Sequence, residues 1–446
     1  MKEDLLDLIN GDRINIASFK SLVIKMNTVD IAEALETLEQ DKIIQVFRLL
    51  PKSMAADVFS YFEANEQQII VESLNDREIN DVVNHLFADD AVDFIEEMPA
   101  NVVTRVLQAV NPEKRAVINQ LLKYPTDSAG SIMTTEYVDL QEDLSVREAF
   151  DHIRATGLNR ETIYTCYVIR RDRLLTGTIS AKTLMLSRPF MRIGDIMDTN
   201  LIYANTMDDQ EIIAGDFKKY GLLAMPVVDT EQRLVGIITV DDIVKIIEEE
   251  NTEDFEKMSA LAPSSEPYMK TSILKLARNR IVWLMVLMLS ATITGAIISS
   301  FTDTISVLPI LVAYIPMLMD TSGNAGAQSA TLIIRGMALG EVQLVDVFRV
   351  LWKEVRVAML CGLALCVVNF TRVFLTGGRS IALAATVSVS LFFTITLAKC
   401  VGSTLPMLAK KLRVDPAIMA APMVTTIVDA FSITIYFTLA KQILHI

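Results

Sequence analysis

The sequence predicts a multi-domain membrane protein: a solenoid-like all-α segment, an α+β tandem repeat and a five-helix all-α transmembrane domain. Charge divides the 446 residues near position 270, with 27 Lys+Arg against 48 Asp+Glu before it and 14 against 7 after it. The first part carries −21 and the second +7, so two solvents are at work rather than one core. Helical periodicity fills the first 126 residues, and a strand–helix texture repeats from there to about residue 250. The expected division is 1–126, a cytosolic helical N-domain; 127–188 and 189–248, the two repeat copies; 249–275, an acidic connecting helix; and 276–446, the membrane domain.

In residues 1–126, IAEALETL and IIQVFRLL place apolar residues at helical spacing, and breaks are expected at Pro51, Pro99 and Pro112. FRLLP (47–51) and IEEMP (95–99) lie 48 residues apart, which suggests stacked helix pairs, with an irregular bundle as the other reading. From Ser131 the order strand, helix, strand, strand, helix occurs twice in about 120 residues. This order resembles a tandem pair of CBS domains. In CBS domains the spacing of Thr239 and Asp242 in GIITVDD sets a hydroxyl and a carboxylate on an adenosine ribose and phosphate. The first copy, GTISAKT, has Ser180 but Thr183 where the acid would stand. ATP at Thr239 and Asp242 is one expectation; a purely structural pairing of two chains is the other.

The five crossings are expected at 281–301, 305–331, 347–370, 381–409 and 416–440. An odd number puts the C-terminus outside, in the cell (inner or plasma) membrane. Lys270, Lys275, Arg278, Arg280, Arg335, Arg349, Lys353, Arg356, Lys410, Lys411 and Arg413 fall on the cytosolic side, and only Arg372, Arg379 and Lys441 on the outer side. No signal-peptide pattern follows Met1, so the N-terminus is expected to stay in the cytosol.

Asp429 stands near the middle of the fifth crossing, where a charge costs at least about 2.5 kcal/mol. Either it faces a cation pathway, or Thr425 and Thr426 hydrogen-bond it, with Lys399 as the one plausible buried countercharge. The second crossing contains GNAGAQ (323–328), whose Gly323, Ala325, Gly326 and Ala327 permit close packing or local unwinding that frees carbonyls. Asn324 and Gln328 add neutral oxygens, and Asp320 a carboxylate. Magnesium dehydrates reluctantly and prefers octahedral oxygen, so one or two carboxylates can hold it through its water shell. No His or Cys lies near Asp429 in sequence, which disfavours a site devoted to zinc or copper.

PMLMDTSGNAGAQSATLIIRGMALGE (316–341) and LPMLAKKLRVDPAIMAAPMVTTIVDAFSITIYF (405–437) resemble the second and the last two helices of MgtE-type magnesium transporters. The resemblance covers the whole chain. It implies a homodimer with the pore on its two-fold axis, lined by the second and fifth helices. It also implies that Asp429 holds hydrated Mg2+ and that Asp415 lies at the cytosolic end of the pore. One departure is Ala421 before Pro422, where some members carry Asn. The expected function is Mg2+ influx, with broader transport of Co2+, Ni2+ or Mn2+ as the alternative. Asp89, Asp90, Asp93, Glu96 and Glu97 form one acidic cluster. Asp241, Asp242, Glu248, Glu249, Glu250, Glu253, Asp254 and Glu256 form another. Divalent ions bridging these clusters would sense internal Mg2+ and close the pore; a solvated acidic surface is the plain alternative.

Other classes are disfavoured. The acidity, with no basic stripe, argues against nucleic acid. There is no GxxxxGK[ST] loop and no Gly-Lys dipeptide, so no phosphate loop of an ATPase. Only His85, His152 and His445 exist, none beside a nucleophile or ligand cluster, so no enzyme is expected. Cys166, Cys361, Cys366 and Cys400 form no CxxC pair and read as reduced packing residues. An anion channel would call for basic residues where Asp320 and Asp429 stand.

Overall fold

The computed structural model describes residues 2–10, 15–264, 268, 269, 271–376 and 380–445. Lys270 and Arg379, two of the residues behind the expected orientation, lie outside the described residues. The chain forms two compact units, Met1–Ile247 and Glu248–Ile446.

The first unit opens with short helices of eight to ten residues. Each start has a local cause. Asn15, Asn27, Asn75 and Asn111 accept hydrogen bonds from first-turn amides, and Asn75 forms a capping box with Glu78. The expected breaks at Pro51 and Pro99 are the N-caps of Lys52–Ser60 and Ala100–Ala109, and Pro112 occupies the first turn of Pro112–Leu121. The 48-residue echo is structural: Gln40–Phe47 and Ala88–Glu96 both end shortly before a proline that starts the next helix. Phe59 and Phe94 meet edge to face at 5.0 Å in the core, both essentially fully buried. Truncating either to Ala would cost about 3–5 kcal/mol.

The two repeat copies have the expected order. Strands β1 (Asp139–Gln141), β2 (Thr165–Ile169) and β3 (Leu175–Ser180) make one sheet; β4 (Ala204–Asn205), β5 (Ala224–Val228) and β6 (Leu234–Thr239) make the other. In each, the first pair is parallel and the second antiparallel, with a register shift at Val168/Ile169 and at Val227/Val228. Tyr137, Tyr167, Ile169, Leu175, Val228, Leu234 and Ile237 pack the sheets together. The helical domain shares one continuous core with the second copy through Ile213, Phe217, Ile238, Ile243 and Ile246.

The connecting helix departs from expectation. It is continuous with the last helix of the second copy, running Val240–Met258, and residues 259–264 are not helical. Ala260 takes the left-handed conformation at φ 55, and the Leu261 amide reaches back to the Glu256 carbonyl at 2.9 Å, the hydrogen-bond pattern of a helix stop.

Among the described residues of the second unit, four helices are long and apolar enough to cross a membrane by length and composition: Ile273–Ser300, Val347–Thr376, Ile381–Lys411 and Ala421–Leu444. They are called here the first, Glu354, Lys399 and Asp429 helices. The GNAG helix, Ile315–Ala338, has 24 residues but is more polar. It starts ten residues later than expected, because Leu308 leaves the helical region and Pro309 opens a separate 3-10 turn, Pro309–Tyr314. The first and Glu354 helices expose apolar side chains such as Leu284, Leu289, Leu360 and Val368, whereas the Lys399 helix is more enclosed.

Candidate functional site

Asp429 lies on its helix facing the glycine seam of the GNAG helix. A Cβ built on Gly323 would stand 3.0 Å from the Thr425 methyl and 3.9 Å from Asp429 Oδ1. Asp429 Oδ1 is buried with no hydrogen-bond partner among the described residues. Neither expected neutraliser reaches it. Thr425 and Thr426 both donate to the Pro422 carbonyl at 2.9 Å, the usual way a helical hydroxyl satisfies itself. Lys399, 6 % exposed, instead donates to Ser329 Oγ at 3.3 Å, and Ser329 donates to Glu354 Oε2 at 2.6 Å. Lys399 therefore belongs to a buried polar chain joining three helices. Glu354 and Ser329 were not singled out in the sequence, because only the tertiary contact that brings them together with Lys399 reveals them.

The GNAG segment is a packing seam, not an unwound stretch. The helix is continuous from Ile315 to Ala338. A Cβ on Gly402 would stand 2.1 Å from the Gly326 carbonyl oxygen, and one on Gly326 would stand 2.8 Å from Val424. Backbone contact of this kind needs glycine on both sides, and it keeps the carbonyls in the helical ladder. Ser322 and Ser432 hydroxyls, 2.9 Å apart, add a second tie to the Asp429 helix. Asp320, Asn324 and Gln328, four residues apart, are exposed along one face, and Asn324 donates to Asp320 at 3.2 Å.

Asp415 is engaged twice. Its Oδ1 accepts from the Ala417 amide at 2.8 Å, starting the turn before the Asp429 helix, and its Oδ2 pairs with Lys257 at 2.7 Å. Ala420, which precedes Ala421 and Pro422, caps that helix without any side-chain hydrogen bond.

The two acidic clusters are not disposed alike. Asp89, Asp90 and Asp93, on the helix Ala88–Glu96, face Asp242, with Lys245 as the cation among them. Glu161, an isolated acid before β2 that carries no sequence signal, joins them. Burial, reinforced by Asp242, Asp241 and Asp90, pushes its carboxyl up to about 8. Burial and neighbouring acids likewise raise Asp89 and lift Asp90 to about 6. Asp241 is exposed beside them. Asp242 Oδ2 accepts from the Thr239 hydroxyl at 2.7 Å, so the expected pair does meet. In the first copy Ser180 and Thr183 hydroxyls stand 2.8 Å apart, with no carboxylate. Glu96 and Glu97 are exposed. In the second unit Glu253 pairs with Lys257 at 2.5 Å, Glu256 accepts from the Ser264 amide at 2.8 Å, and Asp254 lies beside Asp415. Glu249 and Glu250 lie on the same helix turn as Glu253. Among the described residues no three acidic, His or Cys side chains converge closely enough to hold an ion by themselves.

Comparison with known proteins bears on this arrangement. A magnesium transporter MgtE of Thermus thermophilus is 34% identical over 432 residues, 96% of this chain and 95% of that one. One of Bacillus subtilis is 30% identical over the same shares. The chain belongs to the MgtE family. Its family model, described as a divalent cation transporter, matches residues 315–439, from the first residue of the GNAG helix to near the end of the Asp429 helix. The MgtE intracellular N domain matches 26–127 and a CBS domain 193–249. The crystal structure of the soluble part of a magnesium transporter aligns with TM-score 0.54 and 28% identity, over 56% of this chain and 99% of that one. The cytosolic domain of the Mg2+ channel MgtE in complex with ATP aligns with TM-score 0.52 and 30% identity, over 55% and 100%. In MgtE terms, the Lys399 helix is the hub: it contacts the GNAG helix by glycine and the Glu354 helix through Ser329.

Proposed function

We propose that this MgtE protein conducts Mg2+ inward, driven by membrane potential, through a pathway in which Asp429 holds the hydrated ion. The observation that carries this reading is Asp429 Oδ1, buried, without a partner, beside the Gly323 backbone. An unsatisfied carboxylate at membrane depth needs a cation or water, and both protein neutralisers are committed elsewhere. The stripe Asp320, Asn324 and Gln328 is exposed in the single chain, which hydrocarbon would penalise. A homodimer with the pathway on its axis would cover it, with the GNAG helix as the second of five crossings and the C-terminus outside. Moving a doubly charged ion through 100 mV yields about 4.6 kcal/mol, so a gated channel needs no ATP hydrolysis. Because the ligands are all oxygen, and the family model is described for divalent cations, passage of Co2+, Ni2+ or Mn2+ is the second reading.

The acids of the first unit fit a Mg2+ sensor that closes the pore. Asp89, Asp90, Asp93, Asp241, Asp242 and Glu161 repel when bare, and a divalent ion with its waters would relieve them. Glu249, Glu250, Glu253, Asp254 and Glu256, with Glu97, offer further weak sites. Going from 1:99 to 99:1 requires about 5.5 kcal/mol of differential binding, which several weak sites together can supply. ATP at Thr239 and Asp242 is part of the same proposal, motivated by the ATP complex of the structural relative. Ion flux into liposomes, Mg2+ against Co2+ and Ca2+, tests the transport reading. Wild-type flux from Asp429→Ala would overturn it.

A further inference from the structure

We propose that the first repeat copy carries an anion site separate from Thr239 and Asp242, a cleft that takes a group with two or more phosphates. The cleft measures 350 Å³ and is lined by Arg160, Arg170, Arg171 and Arg173, with Asp139 as its one carboxylate. The overall acidity of the unit masks a local excess of base: from 160 to 192 the chain holds seven Lys+Arg against Glu161 and Asp172.

The arginines are placed rather than merely present. The Nη2 of Arg173 donates to the Tyr137 hydroxyl and to the Leu234 carbonyl, both at 3.0 Å. These acceptors are neutral, so they orient the guanidinium without cancelling its charge. Arg173 holds a left-handed φ of 66 at the tip of the β2–β3 hairpin. Glycine or asparagine would serve that turn at lower cost, so the backbone does not explain arginine there. The matching tip of the β5–β6 hairpin has Gln232 at φ 62, in the sequence Asp229-Thr230-Glu231-Gln232. The geometry is thus shared by both copies and the charge belongs to one. Arg160 Nε is buried and has no hydrogen-bond partner among the described residues. Arg170 alone pairs with an acid, exposed Asp172 at 3.0 Å. Among the described residues no ion pair engages Arg160, Arg171 or Arg173, so the cleft has donors and net positive charge to spare. Planar guanidiniums donate in parallel pairs, which suits phosphate oxygens better than chloride. The phosphates can come from a soluble di- or triphosphate or from a phosphorylated lipid headgroup.

The test uses the purified full chain in detergent, in magnesium-free buffer, titrated calorimetrically with pyrophosphate and, separately, with a water-soluble short-chain phosphatidylinositol phosphate. Binding of pyrophosphate is expected, weakened at least about tenfold by Arg171→Gln, an exposed position with no hydrogen bond or ion pair among the described residues, and likewise by Arg160→Gln. Asp242→Ala should leave it unchanged. Binding of the lipid analogue alone, with the same arginine dependence, supports the site and names a headgroup as the source. Absence of both, or binding that Arg160→Gln and Arg171→Gln leave intact, overturns the proposal.

Discussion

The Lys257 ammonium lies 2.7 Å from Asp415 Oδ2 and 2.5 Å from Glu253 Oε1, tying the end of the connecting helix to the turn that starts the Asp429 helix. Partial burial works against that charge, but the two carboxylates outweigh it and hold the ammonium above the ordinary lysine pKa. An acid expected at the inner pore end is thus held by a protein cation. Any ion at Asp415 must compete with a tethered ammonium.

That competition predicts coupled variants. Lys257→Met and Asp415→Asn should each change Mg2+ flux, and the double variant should change it no more than one of them. The pair is partly exposed, so the coupling should be about 0.5–1 kcal/mol, a two- to fivefold change. Flux into liposomes with an internal Mg2+ dye measures it, and strictly additive effects would show the pair to be incidental.

At the proposed ion site, Asp429→Ala should abolish flux while leaving the protein's melting temperature close to wild type, because the carboxylate makes no hydrogen bond to lose through Oδ1. Asp429→Glu should be partly tolerated at best, since an added methylene moves the carboxylate against a water shell of fixed size.

The Lys399–Ser329–Glu354 chain predicts a stability effect instead. Glu354→Gln leaves a buried ammonium without its countercharge and should cost about 3 kcal/mol or more. Lys399→Met combined with Glu354→Leu should recover most of the loss, as apolar replacements of buried ionic groups often do. Thermal denaturation in detergent reads both. An unaltered single variant would mean that the chain contributes nothing.

Glu136 gives a pH dependence. Burial alone would raise its carboxyl, but Lys114 at 2.9 Å and the Thr134 and Thr135 hydroxyls together hold it below the ordinary value. A depressed folded pKa adds stability above the unfolded value, near 4.3, and loses it as pH falls through the folded one. Glu136→Gln should therefore lower the melting temperature at pH 7, with the difference from wild type shrinking below about pH 4.3. A difference that grew toward acid would reverse the sign and refute the assignment.

Sensing by the first unit predicts that removal of residues 1–126 leaves a channel conducting at millimolar internal Mg2+ where the full chain is silent. That deletion removes Asp89, Asp90 and Asp93 from their place against Asp242. Equal inhibition of both forms would remove the helical domain from the gating scheme.

Much of this protein was determined locally, and so was legible in one dimension. Prolines at helix starts, the strand–helix repeat and the apolar runs act over a few residues and produced elements of the expected kind, while the connecting helix stopped early at Met258 and the second crossing began late at Ile315. Asp429 stood out because a lone carboxylate in an apolar run is costly wherever the helix packs. What the sequence could not decide was partnership. Thr425 and Thr426 stood near enough to satisfy Asp429, but their hydroxyls turn to Pro422. Lys399 could have paired with Asp429 or with Glu354, and only the glycine contact of Gly326 with Gly402 brings Ser329 beside it. Glu161 is one acid among many until the fold sets it against Asp242, and Arg160 one base until the β2–β3 hairpin brings three more beside it. Hydrogen bonds and charges act over a few ångströms of space, and the chain closes those distances between residues tens of positions apart. Their partners are therefore chosen by packing alone.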